Sequence, residues 1–82
     1  MFRILTEAIN VQEVLQELIR LGLDYTAKMA EGAYMGVQEK SLEIEFENAR
    51  KELVLEAARQ IKLMNKQEAV LVQEIPTISE MV

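Results

Sequence analysis

The 82-residue sequence contains no cysteine, no histidine and no tryptophan, one proline and three glycines. Each gap closes a class of chemistry. Without cysteine no disulfide can constrain the unfolded chain, and without cysteine or histidine no structural zinc or soft-metal centre can form. Neither a Cys–His pair nor a Ser-His-Asp triad can be assembled, which leaves carboxylates, hydroxyls, lysine and tyrosine for any chemistry. Two tyrosines and two phenylalanines make a poor stacking platform for nucleic acid. Nine basic against fourteen acidic side chains leave a net charge of −5, without the basic footprint that duplex binding needs. Those acids are too interspersed with bases for DNA mimicry. Nothing approaches the ~20 apolar residues of a membrane span, and the opening Met-Phe-Arg-Ile-Leu-Thr-Glu lacks the long apolar stretch of a leader peptide. No cofactor, metal, nucleic acid or membrane partner is therefore expected, and the lack of cysteine fits a cytoplasmic location.

What is present is enough for one folded domain. Half the residues are hydrophobic and 28% are charged, a globular rather than a disordered balance. A core of this size offsets the conformational entropy of the chain only narrowly, so small folds without staples often rely on further subunits. A homo-oligomer is expected on that ground.

Phe2 to Thr6 reads as a first strand. Asn10 with Glu13 resembles a capping box, and Val11, Val14, Leu15, Leu18 and Ile19 recur at helical spacing until Gly22 stops the helix. Leu23 to Gln38 reads as a glycine-interrupted second strand that turns between Gly36 and Glu39. Leu42, Ile44 and Phe46 alternate with Glu43 and Glu45, which marks a third strand from Ser41 to Phe46 with one wet face. Asn48 is placed to cap a second helix whose stripe is Ala49, Leu53, Ala57, Ile61 and Met64. Glu68 to Gln73 reads as a final strand, stopped by Pro76. The order βαββαβ points to an α+β, ferredoxin-like domain over residues 1–75, an antiparallel sheet with two helices on one face. Residues 76–82 form a tail. Met29, Met35 and Met64 are expected as core filler. Tyr25, Met29, Met35 and the last strand are candidates to make the open sheet face apolar enough for a subunit contact.

Two stretches concentrate polar residues. Gly32 to Leu42 places Tyr34, Glu39 and Ser41 around a strand turn, and Asn65 to Leu71 places Gln67 and Glu68 at a helix-to-strand junction. Glu7, at the end of the first strand, has no capping role and can face the same cavity. The functional reading is a ligand pocket, with tyrosine offering a ring and a hydroxyl and carboxylates accepting from ribose hydroxyls or facing a cation. The structural reading is that Ser41, Gln67 and Glu39 tie loops to backbone groups, as polar turn residues commonly do. Arg3, Lys28, Lys40 and Arg59 are the cations that can hold phosphate if subunits bring them together.

The segments Leu5-Thr-Glu-Ala-Ile-Asn10, Asp24-Tyr-Thr26, Gly32-Ala-Tyr-Met-Gly36, Glu39-Lys-Ser-Leu42 and Asn65-Lys-Gln-Glu-Ala-Val-Leu71 resemble a recurring pattern of small phage and prophage proteins of PII-like type. The resemblance runs from Ile4 to about Gln73. It is looser to the phage S-adenosylmethionine lyases, which are longer trimeric proteins holding a nucleoside sulfonium ligand between subunits. That second resemblance implies ligand-site roles for Glu39 and Glu68, with Tyr34 nearby.

Together these readings give an expected function and two alternatives. The first is a small oligomeric anti-defence protein of the phage-infected cytoplasm that sequesters a nucleotide-like signalling ligand at subunit interfaces, through Glu7, Tyr34, Glu39, Ser41, Gln67 and Glu68. The alternatives are an S-adenosylmethionine lyase-like enzyme and a protein–protein inhibitor of a host factor. The absence of ordinary catalytic groups favours binding over catalysis.

Overall fold

A computed structural model describes residues 1–76 of the chain; residues 77–82, which hold most of the expected tail, and the side chain of Tyr34 lie outside the described residues. The elements are β1 (Phe2–Glu7), α1 (Val11–Arg20), β2 (Thr26–Tyr34), β3 (Val37–Phe46), α2 (Lys51–Asn65) and β4 (Leu71–Glu74). They form an α+β unit with one four-stranded sheet in the order β2-β3-β1-β4, antiparallel at every pairing.

Register assigns the two faces. Ile4 lies between Ile44 and Val72, Thr6 is paired with Leu42, and Phe2 with Phe46. These positions look toward the helices, and the fully buried Ile4, Leu42, Ile44 and Phe46 form one core with Val14, Leu18, Val54, Ala57 and Ile61. Both helices thus cover the same side of the sheet. The odd-numbered positions of β1 and β3 look the other way. Across that open face run the rows Thr26–Glu45–Arg3–Gln73 and Lys28–Glu43–Leu5–Leu71. Arg3 meets Glu45 at 3.2 Å and Lys28 meets Glu43 at 3.2 Å, so much of the face is a ladder of ion pairs. Tyr25 packs against the core instead, and Met29 shares a row with Leu42 on the helix side, so neither supplies the apolar open face expected from sequence.

Helix α1 ends as its sequence suggests. Gly22 takes a φ of 75°, its N–H donates to the Ile19 carbonyl at 2.9 Å, and the Leu23 N–H reaches the Leu18 carbonyl at 3.0 Å. This is a Schellman closure with its apolar contact, since Leu18 and Leu23 are both buried. The same closure ends α2, but there Lys66 occupies the left-handed position at φ 52°. On the helix surfaces, hydrogen bonding to Arg20 holds the Glu17 carboxyl below its ordinary range, and bonds from Gln60 and then Arg59 do the same for Glu56.

Three local expectations are corrected. Asn10 precedes α1 in a left-handed conformation and makes no capping bond; its amide donates to Asn65 Oδ1 at 3.2 Å instead. A capping side chain needs an extended backbone to reach the N2 or N3 amide, and φ 51° denies it that. Asn48 does not cap α2, because the helix opens only at Lys51 and the position before it is Arg50, in an extended conformation. Met29 and Met35 are not core filler: they are 53% and 86% exposed, whereas Met64 does pack against the core.

The hairpin decides the shape. β2 and β3 join through Met35 and Gly36, both at positive φ, the two-residue loop whose twist matches that of the flanking strands. β1 accompanies β3 only from Phe46 to Ser41. From Glu31 to Lys40 the hairpin therefore continues as a two-stranded ribbon whose described side chains are all exposed, and the molecule measures 44 × 28 × 19 Å.

Candidate functional site

Where β1 stops and the ribbon continues, the open face sinks into a cleft. The residues there are small: Ser41 lies between Glu7 and Ala30, and the next row is Glu39 opposite Gly32. A methyl group on Gly32 would meet nothing within 4 Å. Larger neighbours make the walls, with Leu5, Val70 and Leu71 on one side and Glu7, Glu39 and Lys40 around the rim. The cleft is wide and open, with a volume of about 700 Å³, within the range of small-molecule sites.

Its back wall is pinned by a polar chain from four positions, in β1, at the end of α2 and in the loops before α1 and β4. Buried Thr6 donates through Oγ1 to Gln67 Oε1 at 2.6 Å, and Asn65 Nδ2 donates to the same oxygen at 2.9 Å. Asn10 extends the chain by donating to Asn65, and Gln67 Nε2 turns back to the Ala69 carbonyl at 3.4 Å. The loop after β1 is tied in turn to the ribbon, as the Ala8 N–H donates to the Lys40 carbonyl at 3.2 Å. Buried Thr6 and Asn65 would cost free energy if left unpaired, so this network holds the loop before β4 against the end of β1.

Of the six sequence-predicted residues, Glu7, Glu39, Ser41 and Gln67 line this one cleft. Glu39 and Ser41 sit in β3 rather than in a turn, because the strand begins four residues before the expected Ser41. Gln67 combines a lining position with the structural role of tying the loop. Glu68 is exposed in the α2–β4 loop and does not line the cleft; β4 begins at Leu71, three residues later than expected. Tyr34 pairs with Val37 at the end of the ribbon, and its side chain lies outside the described residues.

Gly32 and the Leu5–Leu71 pair were not marked as site positions by sequence reasoning, and Lys40 was marked only as a cation that assembly could bring to a phosphate. Continuing the alternation of Leu42, Ile44 and Phe46 backwards places Ser41 and Glu39 on one face, and that signal was available. The proximity of Leu71 to Leu5 was not, since it comes from the pairing of β4 with β1.

Among the expected phosphate ligands, Arg3, Lys28 and Arg59 are engaged by Glu45, Glu43 and Glu56. Lys40 alone contributes to the lining of the cleft, from the helix-side row of β3, whereas Glu7 and Glu39 belong to the open-face rows. The arrangement can accept hydrogen bonds from hydroxyl or amino groups and can face a positive centre, with leucine side chains to cover an apolar ring. A second cleft of about 330 Å³, between the α1–β2 loop and the start of α2, contains none of the predicted residues. Among the described residues no group of three or more acidic side chains is placed to hold a metal ion, and no helix is long and apolar enough to cross a membrane. The sequence matches no protein-family model and no curated protein.

Proposed function

We propose that this chain is a small binding protein of ferredoxin-like architecture that assembles with copies of itself and sequesters a nucleoside-type ligand in the cleft beside Gly32. The βαββαβ order with β4-β1-β3-β2 across the sheet supports the ferredoxin-like reading. The observation that carries the ligand reading is the convergence of Glu7, Glu39, Ser41 and Gln67 on a single open-face cleft with an apolar wall. Carboxylates accept from ribose hydroxyls, and Leu5 and Leu71 offer a surface for a base. The resemblance to small phage proteins supports an anti-defence role in the cytoplasm of an infected cell.

Two carboxylates against one lysine also refine the ligand. A dense phosphate would meet Glu7 and Glu39 at the rim, so ribose and base recognition is assigned the larger share of affinity. The same balance favours the second reading, an S-adenosylmethionine lyase-like enzyme, because a sulfonium is the positive centre such a rim suits.

Amide-resolved NMR titration with adenosine, S-adenosylmethionine, cyclic dinucleotides and ADP-ribose tests the first reading. A binder is expected to shift Glu7, Gly32, Glu39, Lys40 and Ser41 together, and Gly32→Val is expected to abolish those shifts while leaving the fold intact. If no member of the panel binds, the sequestration reading falls. S-adenosylmethionine recovered whole after prolonged incubation removes the enzyme.

A further inference from the structure

The two edges of the sheet are treated differently by the sequence. β4 is four residues long and is followed by Pro76, a device that ends pairing. β2 is nine residues long, carries no proline, and pairs with β3 from Thr26 to Tyr34 without a bulge. Its lysine does not guard the edge, because Lys28 is drawn to Glu43 across the open face. Among the described residues no strand lies beyond β2.

The hairpin loop fixes which groups are free. A two-residue turn joins Tyr34 and Val37 by its closing hydrogen bond, so the even-numbered residues of β2 direct their amides and carbonyls to β3. Ala27, Met29, Glu31 and Ala33 direct theirs outward.

The edge fits itself. An antiparallel pairing of β2 with a second β2 must place residues of like parity opposite one another, because both strands then present those side chains on the same face. Full overlap of Thr26–Tyr34 centres on Ala30. It sets Met29 opposite Glu31, Ala27 opposite Ala33 and Lys28 opposite Gly32, with no like charges facing. Sliding by two residues toward the turn opposes Glu31 with Glu31. Sliding further the other way opposes Lys28 with Lys28, and every slide shortens the ladder. The strand's own charge is neutral, one lysine against one glutamate, so the net −5 of the chain is not focused at this edge.

We propose that the protein forms a two-fold dimer in which β2 pairs antiparallel with β2 of a second copy about Ala30, making one continuous sheet and setting Lys28 of the partner subunit beside Gly32 at the mouth of each cleft. The row through the cleft then runs from Glu39 to Gly32 and on to the partner's Lys28. Each cleft gains a cation on the open face, beside its two carboxylates. The role of that lysine rests on the ligand reading above, whereas the dimer does not.

The cysteine-free sequence makes the register directly testable. Opposed residues of a non-hydrogen-bonded antiparallel pair have Cα atoms about 4.5 Å apart, within disulfide range. Under mild oxidation Ala30→Cys is expected to form a covalent dimer, and Lys28→Cys and Gly32→Cys to cross-link only when mixed with each other. Sedimentation of the unaltered protein is expected to give twice the single-chain mass, and Met29→Pro, which removes an outward amide and no β3 bond, the single-chain mass. A single-chain mass for the unaltered protein at millimolar concentration overturns the dimer. So does an Ala30→Cys protein that cross-links no faster than Lys28→Cys alone. A dimer of the stated register that binds none of the nucleoside panel defeats the ligand reading and leaves the dimer standing. Equal ligand affinity in monomeric Met29→Pro and in the unaltered protein overturns the part assigned to the partner's Lys28.

Discussion

Strand β3 is two strands in its surroundings. From Ser41 to Phe46 it lies between β1 and β2, with Leu42, Ile44 and Phe46 buried to 2% exposure or less under the helices. From Val37 to Lys40 β2 is the only strand paired with it among the described residues, and every side chain is exposed. The same backbone conformation is thus stabilised by core burial in one half and by a hairpin ladder in the other. An isolated two-stranded ribbon is marginal in water, so the outer half depends on its turn and on whatever pairs with it. The candidate cleft lies at the boundary, where a packed sheet gives way to the ribbon.

Truncation is the strongest way to break the comparison. Phe46→Ala is expected to cost about 3–5 kcal/mol in urea unfolding, as a fully buried aromatic leaves a cavity. Val37→Ala, in the same strand, is expected to stay within about 0.5 kcal/mol. Equal losses at the two positions would show that the ribbon is packed after all. Native-state amide exchange sharpens the boundary: the Leu42–Phe46 amides should exchange near the global unfolding limit, and those of Glu31–Lys40 through much smaller openings. Protection of the outward amides of Met29 and Glu31 equal to the core would itself indicate a paired β2 edge.

Turn chemistry gives a smaller effect. Met35 holds a left-handed conformation that Asn or Gly adopts more readily, so Met35→Asn is expected to raise stability by roughly 0.5–1 kcal/mol. Lys66→Gly tests the same term at the end of α2, away from the ribbon, and a similar gain is expected there. If only the α2 substitution stabilises, Met35 is held by contacts beyond its own turn. The smallest effect concerns acid. Glu17 and Glu56 have folded-state values below the ordinary 4.5, so their contribution is present above that pH and is lost as pH falls through the depressed values. Thermal melts should therefore decline slightly below about pH 4.5, and less so when Arg20 and Arg59 are replaced by glutamine.

Periodicity carried much of the fold into view. The alternation of Leu42, Ile44 and Phe46 and the helical recurrence of Val11, Val14 and Leu18 report burial directly, because an apolar face must be hidden at the period of its element. Val37 to Lys40 carries no such record, since neither face of the ribbon is buried. Capping was read less well. Asn10 and Asn48 have the right side chains, but tertiary contacts place Asn10 against Asn65, and α2 opens only at Lys51, after an extended Arg50.

The sequence by itself determined the order of elements, the stop at Gly22, the core-facing residues of β3 and the absence of cysteine and histidine chemistry. These are local or compositional properties, each written within a few consecutive residues. Only the tertiary structure decided that Glu7, Gln67 and Glu39 meet at one cleft, and that Arg3 and Lys28 face carboxylates. It also decided that β2 stands at an edge. Those are properties of register and strand order, set by how β2 and β4 align against the β3–β1 pair, and no single segment encodes them.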